Sequence, residues 1–461
     1  MQINSKLRLR LFGKKNQELE ELIPKIGEKA PRRWYSILMI VLCIRLVLQA
    51  AISFRAAPKA IHIAFSQFAA VKDQPVPSHK SISRWLTQIG LYKLNCLKEQ
   101  ANDWALIVDN SVQIGTQKCL VVLGVRLSKF QEKALIFEDM EVLVMELHDK
   151  SNAEITCQAL EKAQKKVGKA AMVCADDGPD LRGGIVLFCK KHGVGRVFDI
   201  THKIGTFLKK ILEKDPEWQT FTSAAAEAKK KMQQTQAAHL VPPNQRTKSR
   251  FLNIEILVHW GIDAMVAIET PNHPDKELLE HYCGWIRQYK EFIERLKQFD
   301  LISRTIRQHV REHGISSGSG GDVEIALEEA MKFLKFNMEA CEYAGQLIDF
   351  VHEQSRIVPA GQIWIGSSEI IESLFGKLKC LEQDQSKGGF TSLVLGVAAC
   401  VGKVDVDVVR TAMVQVRTKD VDAWTNEQMG ATLLSKRRKS LGAWRRKKKT
   451  KKLYMNWLEF L

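Results

Sequence analysis

The chain has 461 residues, a formal net charge of +17 and a pI near 9.3, which leaves room for roughly three domains of about 150 residues and ample chain for a sizeable core. The strong basic balance points to a polyanionic partner. Ten cysteines without a CxxC or a close Cys/His cluster signal neither a zinc module nor a disulfide framework, and a reducing compartment fits best.

Residues 1–30 read as a charged, polar arm with no apolar core, so no signal peptide is predicted. Trp34 to Phe54 is apolar over a membrane-spanning length, yet it carries Arg45 and Gln49 near its middle. A central Arg costs about 2.5–3.5 kcal/mol on insertion scales. The segment therefore reads as the buried helix of a small helical domain, residues 31–98. Within it Pro58 opens one helix, residues 72–77 make a polar turn, and Ser78 caps a second helix that ends at Gly90. Ile82, Trp85, Leu86 and Ile89 form the apolar stripe of that second helix. His79, Lys80, Ser83, Arg84 and Gln88 fall on the outward face, which suits a recognition helix of a helix-turn-helix, with Lys80, Ser83 and Arg84 contacting duplex DNA. An ordinary surface helix has the same pattern.

The β signals begin next, in a unit spanning residues 99–215. Trp104 to Asn110, Lys118 to Val125 and Leu135 to Leu147 read as a three-stranded meander, and the first strand ends in Asp109. A carboxylate there is costly unless it is paired, hydrogen-bonded or bound to a cation. A capping box, Ser151-Asn-Ala-Glu154, then opens a helix. Ala171 to Ala175 is a short apolar strand ending at Asp176-Asp177-Gly178-Pro179, and the helix Leu181 to His192 is closed by Gly193. A last short strand, Val197-Phe198, ends at Asp199-Ile-Thr-His202-Lys203. Acids at strand ends are also common turn residues and helix N-caps. In parallel units, however, the carboxyl ends of the strands share one rim, where sites are built. Three strands, a helix, a strand, a helix and a strand is the element order of the α/β ribonuclease H-like fold. Its first and fourth strands are adjacent and parallel, so Asp109 and Asp176 would meet.

From residue 216 to 360 the strand signals stop and an all-α insertion is expected. Its helical patterns run over Ala224 to Ala238, Ile254 to Ile268, Glu277 to Phe299 and Val323 to His352, with a flexible loop at Ser316 to Gly321. Trp218, Trp260 and Trp285 in it read as core aromatics. The closing helices, 361–430, contain Trp364-Ile-Gly-Ser-Ser-Glu369-Ile-Ile-Glu372-Ser-Leu-Phe-Gly-Lys377-Leu-Lys379, with Gly366 and Ser367 expected to begin a helix. On it Glu372, Phe375, Gly376 and Lys379 share a face, whereas Glu369 sits in the first turn and complements the helix dipole. Glu372 is thus the better third carboxylate, with Glu369 the alternate. The basic tail, 431–461, packs eleven Lys and Arg and no acid between Lys436 and Lys452, and with Lys203 and Lys379 it offers Arg437, Arg438, Arg445 and Arg446 as phosphate contacts.

Three carboxylates far apart in sequence and converging on one strand edge suit two hard divalent cations, Mg²⁺ or Mn²⁺, and the chemistry that follows is phosphoryl transfer. Asp109, Asp176 in Ala-Asp-Asp-Gly-Pro-Asp-Leu, and Glu372 in Ser-Ser-Glu-Ile-Ile-Glu-Ser-Leu-Phe-Gly-Lys-Leu-Lys resemble the DDE transposases of insertion sequences over roughly residues 60–440. Asp199-Ile-Thr-His202 is similar to the C/D-x-x-H signature of transposases of the Mutator and hAT kind, which also carry a large all-α insertion before the Glu. The resemblance implies a ribonuclease H-like catalytic core, metal held by Asp109, Asp176 and Glu372, and His202 near the scissile phosphate. Asp177 and Asp199 remain alternates for the second acid. Lys379, seven residues after Glu372, resembles the Glu-x6-Lys pattern of another insertion-sequence group. The chain departs from the Mutator and hAT pattern in lacking an N-terminal Cys/His zinc finger. The implied partners are double-stranded element-end and target DNA and further copies of the chain, in a cytoplasmic, nucleoid-associated setting. A ribonuclease H-like endonuclease without strand transfer, and a catalytically silent transposase-derived DNA-binding protein, are the other readings of the same residues.

Overall fold

The computed structural model describes residues 27–67, 74–110, 117–130, 134–176, 178–244, 251, 254–332, 334–383, 390–430, 437–442 and 444. Its centre is one five-stranded mixed sheet in the order β3-β2-β1-β4-β5. Strands β1 (Trp104–Asn110), β2 (Lys118–Arg126) and β3 (Glu141–His148) form the expected antiparallel meander. Strand β4 (Ala170–Ala175) lies parallel to β1, and β5 (Gly195–Phe198) lies parallel to β4. The third strand starts later than Leu135, because Phe137–Asp139 forms a 3₁₀ turn first.

Alternation along the strands gives the sheet two buried faces. Trp104, Leu106, Val108 and Val173 pack on one side, under helices α4 (Ala153–Val167) and α5 (Pro179–His192). Helix α5 starts on Pro179 and stops at Gly193, whose φ of 61° gives the left-handed cap. Ala105, Ile107, Met172, Cys174 and Val197 point to the other side, into a core that takes in residues from Ala30 to Met429.

Three N-terminal helices share that larger core: α1 (Ile37–Leu48), α2 (Ala56–Ser66) and α3 (His79–Asn95). Helix α1 is largely buried as expected, and among the described residues no helix is long and apolar enough to cross a membrane. Helix α3 departs from expectation. It runs past Gly90 to Asn95, and every residue from Trp85 to Leu91 is buried. Gln88, expected on the outward face, is 1% exposed and donates to the Val416 carbonyl at 2.7 Å. Lys93 is buried too, and its ammonium donates to the carbonyls of Ala399, Val401 and Gly402 at 3.2, 2.6 and 3.2 Å. These two side chains find their partners some three hundred residues downstream, so the C-terminal half of α3 is held inside the protein, while His79, Lys80 and Arg84 on its first turns stay exposed.

After β5 come α6 (Ile200–Leu212), α7 (Pro216–Met232), α8 (Ile254–Glu269), α9 (Lys276–Cys283), α10 (Lys290–His313), α11 (Ser319–Met331) and α12 (Met338–Ser355). Among the described residues this stretch contains no sheet strand. Two expected long helices are each broken. A 3₁₀ segment, Gly284–Tyr289, separates α9 from α10, and α12 restarts where Asn337 caps the Ala340 N–H at 2.7 Å. The Ser316 to Gly321 loop is partly helix, since α11 begins at Ser319. Trp218 and Trp260 are buried core residues, and Trp285 packs half-buried against the same cluster. The chain closes through α13 (Glu369–Gln383), α14 (Gly396–Cys400), α15 (Val406–Gln415) and α16 (Thr418–Met429).

Candidate active site

The ladder between β1 and β4 pairs Ile107 with Cys174, and that between β4 and β5 pairs Ala175 with Phe198. Carried on along the chain, the same register sets Asp109, Asp176 and Asp199 in one row across three parallel strands, at their carboxyl ends. Neighbouring strands are about 4.8 Å apart. By the alternation above, all three acids lie on the face of the larger core.

The local hydrogen bonds separate their roles. Asp109 Oδ1 accepts from the Asn110 N–H at 2.6 Å, and Asp176 Oδ1 from the Gly178 N–H at 3.2 Å. Asp199 is 1% exposed. Its Oδ1 accepts from the His202 N–H at 2.9 Å, and its Oδ2 accepts from both the N–H and the hydroxyl of Ser368. As an alternate acid Asp199 is thus already engaged at both oxygens. Asp177 lies outside the described residues.

A strap brings the third acid to this rim. Ile315 and Trp364 form an antiparallel bridge, the Trp364 ring lies against Gly195, and the Ile200 N–H donates to the Gly366 carbonyl at 3.0 Å. Helix α13 then starts at Glu369, later than the expected Gly366 and Ser367, because Ser367 and Ser368 still belong to the strap. Glu372 Oε1 meets His202 Nε2 at 2.7 Å. Glu369 turns elsewhere: it accepts from the Thr201 hydroxyl at 2.8 Å and pairs with Arg311 at 3.4 Å. Sequence reading missed Thr201, Arg311 and Ser368. The pair of serines ahead of an acidic helix start was a visible signal for Ser368; nothing local marks the other two.

The electrostatics tie the four groups together. Burial first, and then the charge of Asp176, push the Asp109 carboxyl up to about 7, while His202 works the other way. For His202 burial opposes the cation, but the Glu372 hydrogen bond and the charges of Asp199, Glu372 and Asp176 outweigh it and lift the imidazole to about 9. A hard divalent cation beside Asp109 would offset the Asp176 charge that opposes its ionisation. With Glu372 held on His202, no three His, Cys, Asp or Glu side chains among the described residues are gathered as a ready cage.

Of the expected DNA contacts, Lys80 and Arg84 are exposed on the first turns of α3, with Ser83 half-buried between them. Lys379 is exposed on α13, and Arg437 and Arg438 are exposed on a helical turn. The Lys203 ammonium lies over the rings of Phe207 and Phe350, at 4.9 and 4.8 Å. Arg445 and Arg446 lie outside the described residues.

No protein-family model and no curated protein matches the chain. Among solved structures, the chain is similar to the Drosophila P element transposase strand transfer complex, at 12% identity and a TM-score of 0.38, covering 88% of this chain and 100% of that one.

Proposed function

We propose that the chain is a DDE-type transposase, which cleaves DNA at the ends of a mobile element and joins those ends to a target by phosphoryl transfer. The observation that carries this reading is the row of Asp109 and Asp176 on adjacent parallel strands, with His202 and Glu372 beside it. The strand order and the parallel β1–β4 pair support a ribonuclease H-like core, and the helices from α7 to α12 support an all-α insertion before the third acid. Asp109, Asp176 and Glu372 would hold Mg²⁺ or Mn²⁺. Bound there, the metal supplies Lewis acidity that activates a water or 3′-hydroxyl and stabilises the leaving oxygen. His202 stays protonated up to about pH 9, so it offers a donor and a positive charge to a non-bridging phosphate oxygen. Lys80, Ser83, Arg84, Lys379 and the basic tail supply contacts to the duplex. Lys203, placed between two rings, ranks below them. Holding two element ends together calls for at least two copies of the chain, acting on nucleoid DNA in the cytoplasm.

The test is nicking of plasmid DNA carrying the sequences that flank the coding region, in Mg²⁺ or Mn²⁺. Asp109→Asn, Asp176→Asn and Glu372→Gln should each abolish nicking and keep DNA affinity, and His202→Ala should slow it. Equal nicking by all four and the parent overturns the proposal. Loss in Glu369→Gln with a fully active Glu372→Gln moves the third ligand to Glu369.

A further inference from the structure

The segment Asp199-Ile-Thr-His202 meets the segment Gly366 to Glu372 through four successive contacts. Asp199 binds Ser368, the Ile200 N–H donates to Gly366, Thr201 donates to Glu369, and His202 meets Glu372. Of the three contacts made by side chains, only the first is fully buried. The Asp199 carboxylate caps α6 with one oxygen and, with the other, takes the N–H and the hydroxyl of Ser368, the residue immediately before α13. One side chain therefore sets the start of both helices that deliver the groups beside Asp109 and Asp176.

We propose that Asp199 is a positioning residue for the cleavage reaction, fixing α13 against α6 so that Glu372 and His202 stand at the carboxylate row. This inference rests on the transposase reading for its effect on rate, and on geometry alone for its effect on the His202–Glu372 contact. The chemistry of the tie is specific. A carboxylate oxygen accepts from two donors at once, whereas the amide nitrogen of an Asn cannot accept at all. Asn is nonetheless as good a helix N-cap as Asp. Asp199→Asn thus preserves the cap on α6 and loses the bond from the Ser368 N–H, leaving at most a reversed bond in which the amide nitrogen donates to the Ser368 hydroxyl. Ser368→Ala removes only the hydroxyl bond, and Ser368→Thr restores it.

The experiment compares these three variants with the parent and Asp109→Asn as full-length proteins. It reads single-turnover nicking at saturating plasmid DNA, DNA affinity, the thermal midpoint, and the ¹⁵N resonance of the His202 imidazole in protein without added metal. Residues that orient metal-binding side chains typically cost about 10–100-fold in activity when removed, and a loss in that range is expected for Asp199→Asn. DNA affinity should be unchanged and the His202 resonance moved. Ser368→Ala should lose less, and Ser368→Thr should recover. Parental nicking by Asp199→Asn, with Asp109→Asn inactive, overturns the positioning role and leaves the transposase reading standing. Parental nicking by Asp109→Asn overturns the transposase reading. The imidazole resonance then decides the tie by itself, since an unmoved signal in Asp199→Asn refutes it. Should Asp199→Asn fail to fold, an unmoved resonance and full activity in Ser368→Ala refute the proposal equally.

Discussion

Replacing Asp109 by Asn in metal-free protein should stabilise the fold at neutral and alkaline pH. The Asp109 carboxyl is lifted from 3.8 to about 7, by burial and then by the charge of Asp176. A carboxyl raised in the folded state keeps its proton there after the unfolded chain has released it. Its stabilising contribution is complete below about pH 4 and is lost progressively as the pH rises to about 7. About three pH units at 1.36 kcal/mol each set a ceiling of about 4 kcal/mol. Because Asp109 is only half-buried, solvent screening reduces this, and about 1–3 kcal/mol is the expected effect. Asn has the same shape, and its amide oxygen can still accept from the Asn110 N–H. Urea unfolding in EDTA should find parent and variant close at about pH 4 and the variant more stable at about pH 8. Mg²⁺ should then reverse the order by stabilising the parent alone. A variant no more stable than the parent at the higher pH refutes the raised Asp109 carboxyl, and with it the burial and the Asp176 charge that together cause it.

Two further outcomes are expected at other parts of the chain. A Cβ on Gly195 would run into the Trp364 ring, so Gly195→Ala should cost about 1–3 kcal/mol by overpacking and slow nicking by displacing the strap that carries Glu372. An unchanged thermal midpoint would count against that packing. Deleting Ser435 to Leu461 should weaken binding to flanking and scrambled duplexes alike, and flatten the salt dependence by about 0.9 in slope for each phosphate that the tail neutralises. An unchanged slope, or a weakening confined to the flanking sequence, argues against a role in non-specific DNA binding.

The sequence by itself determined the order of strands and helices around the sheet and the carboxyl ends of its parallel strands. Apolar runs closing on Asp109, Asp176 and Asp199 mark strand termini because burial and turn chemistry are local, and Pro179 and Gly193 bound α5 for the same reason. Glu369 and Glu372 stand three residues apart in the first turn of α13, so helical spacing does not separate them; only the tertiary structure gives them different partners, Thr201 for Glu369 and His202 for Glu372. What the sequence could not carry is any partner distant along the chain. Gln88 was expected on the outward face of α3 but is held by the Val416 carbonyl, and Lys93, beyond the expected end of that helix, is held by the carbonyls of Ala399, Val401 and Gly402. The role of Asp199 depends on Ser368, 169 positions away. Periodicity reports which face of a helix is polar; only packing decides whether water or another part of the chain satisfies it.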